Sequence, residues 1–227
     1  FPLILNAQQN TTAPAIQKTI SATVRNQGGG SISRVFYSTK SGATEPESNA
    51  FLMTNKGGDV YESGYITNNG TYYIVAYNSD GRRSEASVKV TNIDKEGPVI
   101  SNISQDPPGW SKSNKTISAT VIDYGMGLDK DRVYLTTDPA ATTGTKMTAS
   151  GSIFKTEPLG LGTYYIVAYD IVNNRGVSSA IVVEKIDNTP PVVTSTSQNP
   201  TGAAAQKTLT ATVTDNSNSI TSVFYSS

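Results

Sequence analysis

The sequence predicts an all-β protein made of tandem antiparallel β-sandwiches, with a third repeat that is incomplete. The first observation is that Lys18–Val24 and Lys115–Val121 both read KTISATV, while Lys207–Val213 reads KTLTATV. The second is that GTYYIVAY occurs at Gly70–Tyr77 and again at Gly162–Tyr169. These copies recur every 92 to 97 residues. Solenoid repeats are shorter, about 20–50 residues, so each copy is expected to be a domain with its own core.

The third observation is the alternation within the KTISATV segments. Ile20, Ala22 and Val24 fall on one side of an extended chain, with Ser21 and Thr23 on the other. The same alternation recurs at Ile117, Ala119 and Val121, and at Leu209, Ala211 and Val213. No long helical period interrupts these short runs. The pattern is typical of strands that bury one face in a sandwich.

The remaining strands follow in the same order in each copy. Short apolar runs predict the next strand at Val35–Tyr37, Val133–Leu135 and Val223–Tyr225, and closing strands at Val88–Ile93 and Ala180–Ile186. Each closing strand leads into proline, at Pro98 and at Pro190-Pro191, and proline restricts the chain to stiff, extended geometry. We therefore predict sandwich repeats at residues 1–95 and 96–189, and the first part of a third at residues 190–227.

Composition excludes several classes of function. The 18 basic and 18 acidic residues give a formal net charge of zero, so the chain lacks the basic field that attracts nucleic acid. Cysteine and histidine are both absent, which excludes disulfides, thiolate nucleophiles and a Ser-His-Asp mechanism. No apolar run reaches the length of about 20 residues that a membrane span needs. The expected protein is not an enzyme and does not insert into a membrane through this segment.

The order of these motifs resembles the bacterial immunoglobulin-like (Ig-like) repeats of secreted and cell-wall surface proteins, many of them adhesins. The resemblance rests on an Ile-Asp-x-x-x-Pro-Val/Pro frame, an alternating Thr-rich strand, Gly-Thr-Tyr-Tyr, and a closing strand that ends in Ile-Asp. It covers Pro2–Asp94 and Pro98–Asp187. The first copy departs from the second in having Asn78 where the second has Asp170, and in lacking a tryptophan before its strand.

The resemblance implies roles for two tyrosines. Tyr72 and Tyr164 stand where immunoglobulin sandwiches have a tyrosine corner, two residues before a core position that is Ile74 or Ile166 here. Each ring is expected to be buried, with its hydroxyl bonded to nearby backbone.

Oxygen-rich segments near the two copy boundaries are candidates for calcium ligands. The candidates are Asp94, Glu96 and Asp123 near the first boundary, and Asp170, Asn173, Asn174 and Asp187 near the second. Calcium needs several carboxylates that converge on one point, and no dense Asp-x-Asp run is present. Turn and capping roles account for isolated Asp and Asn residues. The sequence therefore predicts no metal ligand, no cofactor and no catalytic residue.

Three other groups of residues have both a functional and a structural interpretation. Lys18, Lys115 and Lys207 recur in place and fit either a solvated strand edge, which is favoured, or internal Lys–Asn isopeptide bonds. Asp129 and Asp131 are expected to lie in a charged surface loop. A carbohydrate platform would draw on aromatic residues in loops, namely Trp110, Tyr124, Tyr61 and Tyr65.

The expected function is that of a non-catalytic structural or adhesive stalk of an extracellular bacterial surface protein, secreted or attached to the cell wall. The expected partners are a host or cell-surface protein or a glycan. The alternative is an accessory carbohydrate-binding module of a secreted polysaccharide-active enzyme or phage tail protein. Self-assembly through the incomplete third repeat is a further alternative, because half a sandwich leaves an apolar face uncovered.

Overall fold

The computed structural model describes residues 1–44, 49–217 and 219–226. Antiparallel strands make up its regular structure, and none of these residues lies in a helix. The predicted all-β class is therefore confirmed, although residues 218 and 227 of the third repeat lie outside the described part. That part contains no helix long and apolar enough to cross a membrane.

The chain divides into two compact units. The first comprises Phe1–Gly97 with the loops Asp123–Leu128 and Asp170–Asn174, and the second comprises the remainder. The three-way division predicted from sequence stays a prediction.

The described residues of the first repeat, 1–44 and 49–95, form eight strands in two four-stranded sheets. The strands are β1 (Pro2–Gln9), β2 (Ile20–Asn26), β3 (Ile32–Ser38), β4 (Ala50–Leu52), β5 (Thr54–Gly57), β6 (Val60–Glu62), β7 (Gly70–Asn78) and β8 (Arg83–Val90). One sheet has the order β1-β2-β6-β5 and the other β4-β3-β7-β8. Because consecutive strands β2 and β3 belong to different sheets, the topology is that of an Ig-like Greek-key sandwich.

The core of the first repeat is built by the alternation seen in the sequence. Ile20, Ala22 and Val24 are each at most 2% exposed, whereas the intervening Ser21 and Thr23 are half-buried. From the opposite sheet, β3, β7 and β8 contribute Val35, Tyr37, Tyr72, Ile74, Ala76, Val88 and Val90 to the same cluster. The predicted core face of the KTISATV strand is thus confirmed in this repeat.

The tyrosine corner is confirmed for Tyr72, which is buried and whose hydroxyl donates to the backbone oxygen of Asn68 at 2.9 Å. Tyr164 makes the equivalent bond to the backbone oxygen of Gly160 at 3.2 Å, but it is half-buried and not buried as predicted. Ile74 and Ile166, two residues further on, have no exposed surface. The corner hydrogen bond fixes the loop that precedes the GTYYIVAY strand of each repeat.

Two buried phenols make the first repeat sensitive to alkali. Burial raises the pKa of Tyr72 above its ordinary value of 10.0, and burial together with the neighbouring Tyr72 raises that of Tyr37. The unfolded chain therefore loses these protons at lower pH than the folded chain does. Stability from this source is complete below pH 10 and is lost as pH rises through the folded pKa values. We expect the free energy of unfolding to fall steeply above pH 10 in urea titrations.

Tyr72→Phe separates the phenol's charge from its ring. Below pH 10, the free energy of unfolding of the variant should be about 1 kcal/mol lower than that of the parent, because the corner hydrogen bond is gone. Above pH 10, the free energy of unfolding should fall less steeply with pH in the variant than in the parent, so the two curves converge. Parallel curves across this pH range would contradict the assignment.

The second repeat follows the same plan with nine strands. They are β9 (Val99–Asp106), β10 (Thr116–Ile122), β11 (Leu128–Thr136), β12 (Thr145–Lys146), β13 (Thr148–Ser150), β14 (Ile153–Lys155), β15 (Gly162–Asp170), β16 (Arg175–Val177) and β17 (Ile181–Val183). The sheets have the orders β13-β14-β10-β9 and β12-β11-β15-β16, with β17 also paired to β15. Ile117, Ala119 and Val121 of β10 are buried as predicted, and Ile166 of β15 is buried as well.

In the third copy, residues 190–217 and 219–226 are described, and their strands form one hairpin of β18 (Val192–Asn199) and β19 (Thr208–Thr214). Its predicted inward residue Leu209 is 66% exposed. The strand predicted at Val223–Tyr225 is wrong for this copy, since Phe224 and Tyr225 lie outside any strand and are more than 85% exposed. The physical reason is pairing: the equivalent strands β3 and β11 each pair with a GTYYIVAY strand, and the sequence has no third GTYYIVAY.

The solvated strand edge predicted for the recurring lysines is wrong for two of the three. Lys18 and Lys115 have at most 1% of their surface exposed, whereas Lys207 is exposed. The Lys18 ammonium donates to the backbone oxygen of Thr11 at 2.9 Å, so its side chain holds the loop between β1 and β2. Burial lowers the pKa of Lys18. The isopeptide alternative for these lysines stays untested.

Candidate functional site

Three aspartates converge within the first compact unit. Asp94, Asp123 and Asp170 each offer a carboxylate oxygen, and these oxygens all lie within 4.8 Å of one another. Asp94 and Asp170 are buried, and Asp123 is half-buried. We call these residues the aspartate trio. Of the calcium-ligand candidates named from sequence, it joins two from the first boundary with one from the second.

Asp123 and Asp170 are held by tight turns that follow strands. Asp123 follows β10, and its Oδ1 accepts from the amides of Gly125 at 3.0 Å and Gly127 at 2.8 Å. Asp170 ends β15, and its Oδ1 accepts from the amides of Val172 at 3.0 Å and Asn174 at 2.7 Å. In each case the side chain folds back over its own turn, as Asp side chains commonly do.

Asp94 reaches the trio from the segment after the first sandwich. Its amide donates to Ala15 O at 3.0 Å, and its Oδ2 accepts from the amide of Met126 at 2.6 Å. A Cβ on Gly125 would lie 2.0 Å from that same Oδ2, so only glycine fits at position 125. Asn174 adds a bond from its Nδ2 to Asp94 O at 3.1 Å. These contacts fix the third carboxylate beside the other two.

The trio concentrates negative charge without a basic partner. None of the ion pairs formed by the described residues includes Asp94, Asp123 or Asp170. Ionised carboxylates this close repel one another strongly in a partly buried setting. Oxygen ligands of this charge suit a hard cation such as Ca²⁺, whose remaining ligands would be water or backbone oxygens. These are the residues in the described chain that could hold a metal ion.

The first repeat forms a related arrangement in which asparagine replaces two of the aspartates. Asn26 and Asn78 stand where the second repeat has Asp123 and Asp170. Asn78 Oδ1 accepts from the amides of Asp80 and Arg82, as Asp170 Oδ1 does in its own turn. Asn78 Nδ2 donates to Asn26 Oδ1 at 3.3 Å. The turn is therefore kept in both repeats. The first repeat has the Asp80 carboxylate beside it, whose Oδ2 accepts from Asn78 Nδ2 at 3.4 Å, whereas the second repeat has aspartate at both equivalent positions.

Other candidates from sequence lie away from the trio or serve structural roles. Glu96 is exposed and contributes its backbone amide to Asp94. Asp129 and Asp131 lie in strand β11 instead of the predicted loop, and Asp131 pairs with Lys146 at 2.7 Å. Asp187 lies in a separate groove of the second unit.

The aromatic candidates have different surroundings. Trp110, Tyr65 and Tyr124 are 53%, 71% and 80% exposed, whereas Tyr61 is half-buried against the first core. Trp110 lines the groove that contains Asp187. Trp110 belongs to the second compact unit, and the other three aromatic residues belong to the first.

Comparison with known proteins finds likeness in structure alone. No protein-family model matches the chain, and no curated protein matches it in sequence. Murine CEACAM1b is similar in structure at 14% identity, over 80% of this chain and 99% of that chain, with a TM-score of 0.32. The Escherichia coli adhesin FdeC is similar at 16% identity, over 78% of this chain and 62% of that chain, with a TM-score of 0.40.

A third similar structure is that of the fibronectin(III)-like modules of Clostridium thermocellum CbhA. It matches at 18% identity, over 80% of this chain and 91% of that chain, with a TM-score of 0.27. At these values the likeness carries no argument about function. Function has to be argued from the residues of this chain.

Proposed function

We infer that this chain is a non-catalytic stalk segment of an extracellular bacterial surface protein, which spaces or displays a binding region. The observation that carries the proposal is the repetition of one self-contained sandwich plan. β2 with β7 and β10 with β15 carry the same KTISATV and GTYYIVAY segments, and each pair supplies buried core residues to its own repeat. Tandem domains with separate cores suit a role in length and spacing.

The sequence between the repeats supports the same role. The closing strands β8 and β17 are followed within a few residues by Pro98 and by Pro190-Pro191. Prolines restrict their own φ and the conformation of the residue before them, so such connections are stiffer than glycine-rich linkers. A stiff connection keeps whatever the stalk displays at a fixed distance from its anchor.

The residue types of the chain support a role without catalysis. Histidine and cysteine are absent, so the usual general base and thiolate nucleophile are missing. The neutral net charge and polar strand faces suit an extracellular spacer that does not bind nucleic acid. Its expected partners are a host or cell-surface protein or a glycan.

Small-angle X-ray scattering of the whole chain tests the stalk function. We expect an elongated particle whose maximum dimension stays constant with salt concentration. Gly substitution of Pro190 and Pro191 should broaden the distance distribution, because the connection loses its restriction. Pro139→Gly, in an exposed loop within the second repeat, is the matched control and should leave the scattering unchanged. A compact particle would overturn the proposal.

A further inference from the structure

The chain's only tryptophan lines an open groove in the second compact unit. Trp110 lies between β9 and β10 and is 53% exposed. The groove has a volume of about 720 Å³, and all of its lining residues belong to that unit. Small-ligand sites occupy about 300–1,000 Å³ and combine aromatic surface with a few placed polar groups. An exposed indole at such a place is a candidate contact for a ligand.

The backbone that carries Trp110 is fixed in position. Its neighbour Ser111 donates its amide to Lys185 O at 3.0 Å and accepts from the amide of Asp187 at 2.8 Å. These two bonds form a parallel bridge between Ser111 and Ile186. The loop with the indole is therefore tied to the segment with Asp187. A site held this way loses little conformational entropy when a ligand binds.

Two carboxylates are presented to the same groove in fixed orientations. Asp187 Oδ1 accepts from Thr189, from its amide at 3.1 Å and from its hydroxyl at 3.0 Å. Asp215 Oδ1 accepts from the amide of Ser217 at 2.9 Å. The hydrogen bond from the Thr189 amide, with those from neighbouring side chains, outweighs partial desolvation and lowers the pKa of Asp187. This carboxylate is thus a charged acceptor at neutral pH, which makes its hydrogen bonds stronger.

The other polar groups define the class of ligand. Lys112 is the only basic residue among the described lining residues, so Asp187 and Asp215 leave the groove with a net negative charge. Hydroxyls of Ser111, Thr189 and Ser217 add neutral donors and acceptors. This charge disfavours uronic acids and nucleic acids. A neutral pyranose offers an apolar C–H face to an indole and hydroxyl donors to carboxylates.

We propose that the Trp110 groove binds a neutral saccharide, with the indole against the sugar ring and Asp187 and Asp215 accepting from its hydroxyls. The site goes beyond the stalk function and does not depend on it. A stalk with this site makes a direct contact with glycan, whereas a stalk without it is a spacer alone. Two sources share this chemistry, a structural polysaccharide and the glycan of a glycoprotein.

Because Trp110 is the only tryptophan, intrinsic fluorescence of the whole chain reports directly on the groove. The probes are cellohexaose and chitohexaose for polysaccharide, a high-mannose oligosaccharide for glycoprotein, hexagalacturonate as the anionic probe, and an arginine-rich peptide. We expect a saturable change in emission with at least one neutral saccharide and none with hexagalacturonate. Which neutral probe binds identifies the source. No response to any neutral saccharide, or saturation by the peptide alone, would overturn the proposal.

Variants assign the binding to the groove. In affinity electrophoresis with the saccharide that binds, Trp110→Ala should weaken the affinity at least tenfold. Asp215→Asn should weaken the affinity less. Tyr124→Ala is the matched control, since Tyr124 is 80% exposed and does not line the groove. Circular dichroism verifies that each variant is folded. If the Trp110→Ala variant were retained as strongly as the parent, the saccharide site proposed at Trp110 would be wrong. The scattering test of the stalk function is independent of that outcome.

Discussion

Alanine at Ile74 or Ile166 is expected to destabilise the affected repeat by about 2–5 kcal/mol, the cost of a large cavity in a packed core. Both side chains have no exposed surface and occupy equivalent positions in β7 and β15. Because each repeat has its own core, each variant should lower one calorimetric transition and leave the other in place. Differential scanning calorimetry of the whole chain measures both transitions at once.

Val182→Ala is the control for this pair. Val182 lies in β17 of the second repeat and is 52% exposed, so its truncation should change stability by no more than about 0.5 kcal/mol. If Ile74→Ala and Ile166→Ala shifted one common transition equally, the repeats would unfold as a single cooperative unit. That result would remove the main support for a stalk of independent domains.

Asp123→Asn is expected to stabilise the chain by about 1–2 kcal/mol in chelator at low salt, since it removes one of three mutually repelling charges. Asn keeps a carbonyl oxygen to accept from the Gly125 and Gly127 amides, and Asn26 already occupies the equivalent position in the first repeat. Added salt should reduce the difference in free energy of unfolding between the variant and the parent, because salt screens the repulsion among the three carboxylates of the parent. Urea unfolding at several salt concentrations measures it.

Asp138→Asn is the matched control for the trio. Asp138 is exposed and its Oδ1 accepts from the amide of Ala140 at 2.8 Å in the same kind of turn, outside the cluster of aspartates. Its replacement should leave stability unchanged at every salt concentration. A destabilised Asp123→Asn would mean that the carboxylate charge is needed at this position, contrary to the expected repulsion.

Much of the fold could be predicted from sequence because its signals are local. Alternation at Ile20, Ala22 and Val24 identifies a half-buried strand without knowledge of its partners, and the second copy repeats the pattern. The corner role of Tyr72 is implied by the resemblance to Ig-like repeats, and its bond to Asn68 spans only four residues. Repetition then fixed the order of strands in both sandwiches. Each of these inferences depends on neighbours in the chain.

The failures concern groups whose partners are distant in sequence or missing. The sequence predicts that Lys18 is solvent-exposed, but the structure buries it. Its ammonium bonds to the backbone of Thr11 in the loop before β2, and the sequence does not show that this loop covers the side chain. The sequence places Asp170 near the second copy boundary, whereas its carboxylate lies beside that of Asp94 near the first. The two residues are 76 positions apart, and no local sequence pattern predicts that they are close in space. Asp123 follows β10 and Asp170 ends β15, and in an Ig-like sandwich these two strands finish on the same side of the domain. That topology could have predicted that Asp123 and Asp170 lie close together.

The repetition has a consequence for how the chain finds its native pairing. Strands β2 and β10 share the segment Ile-Ser-Ala-Thr-Val, so each could enter the sheet of the other during folding. Their neighbours differ: β2 lies between PLILNAQQ and VYE, and β10 between VISNISQD and IFK. The strands that flank β2 and β10 therefore distinguish the two repeats, although the inner strands themselves are shared. Divergence of these flanking strands disfavours an exchange of partners between the two sandwiches.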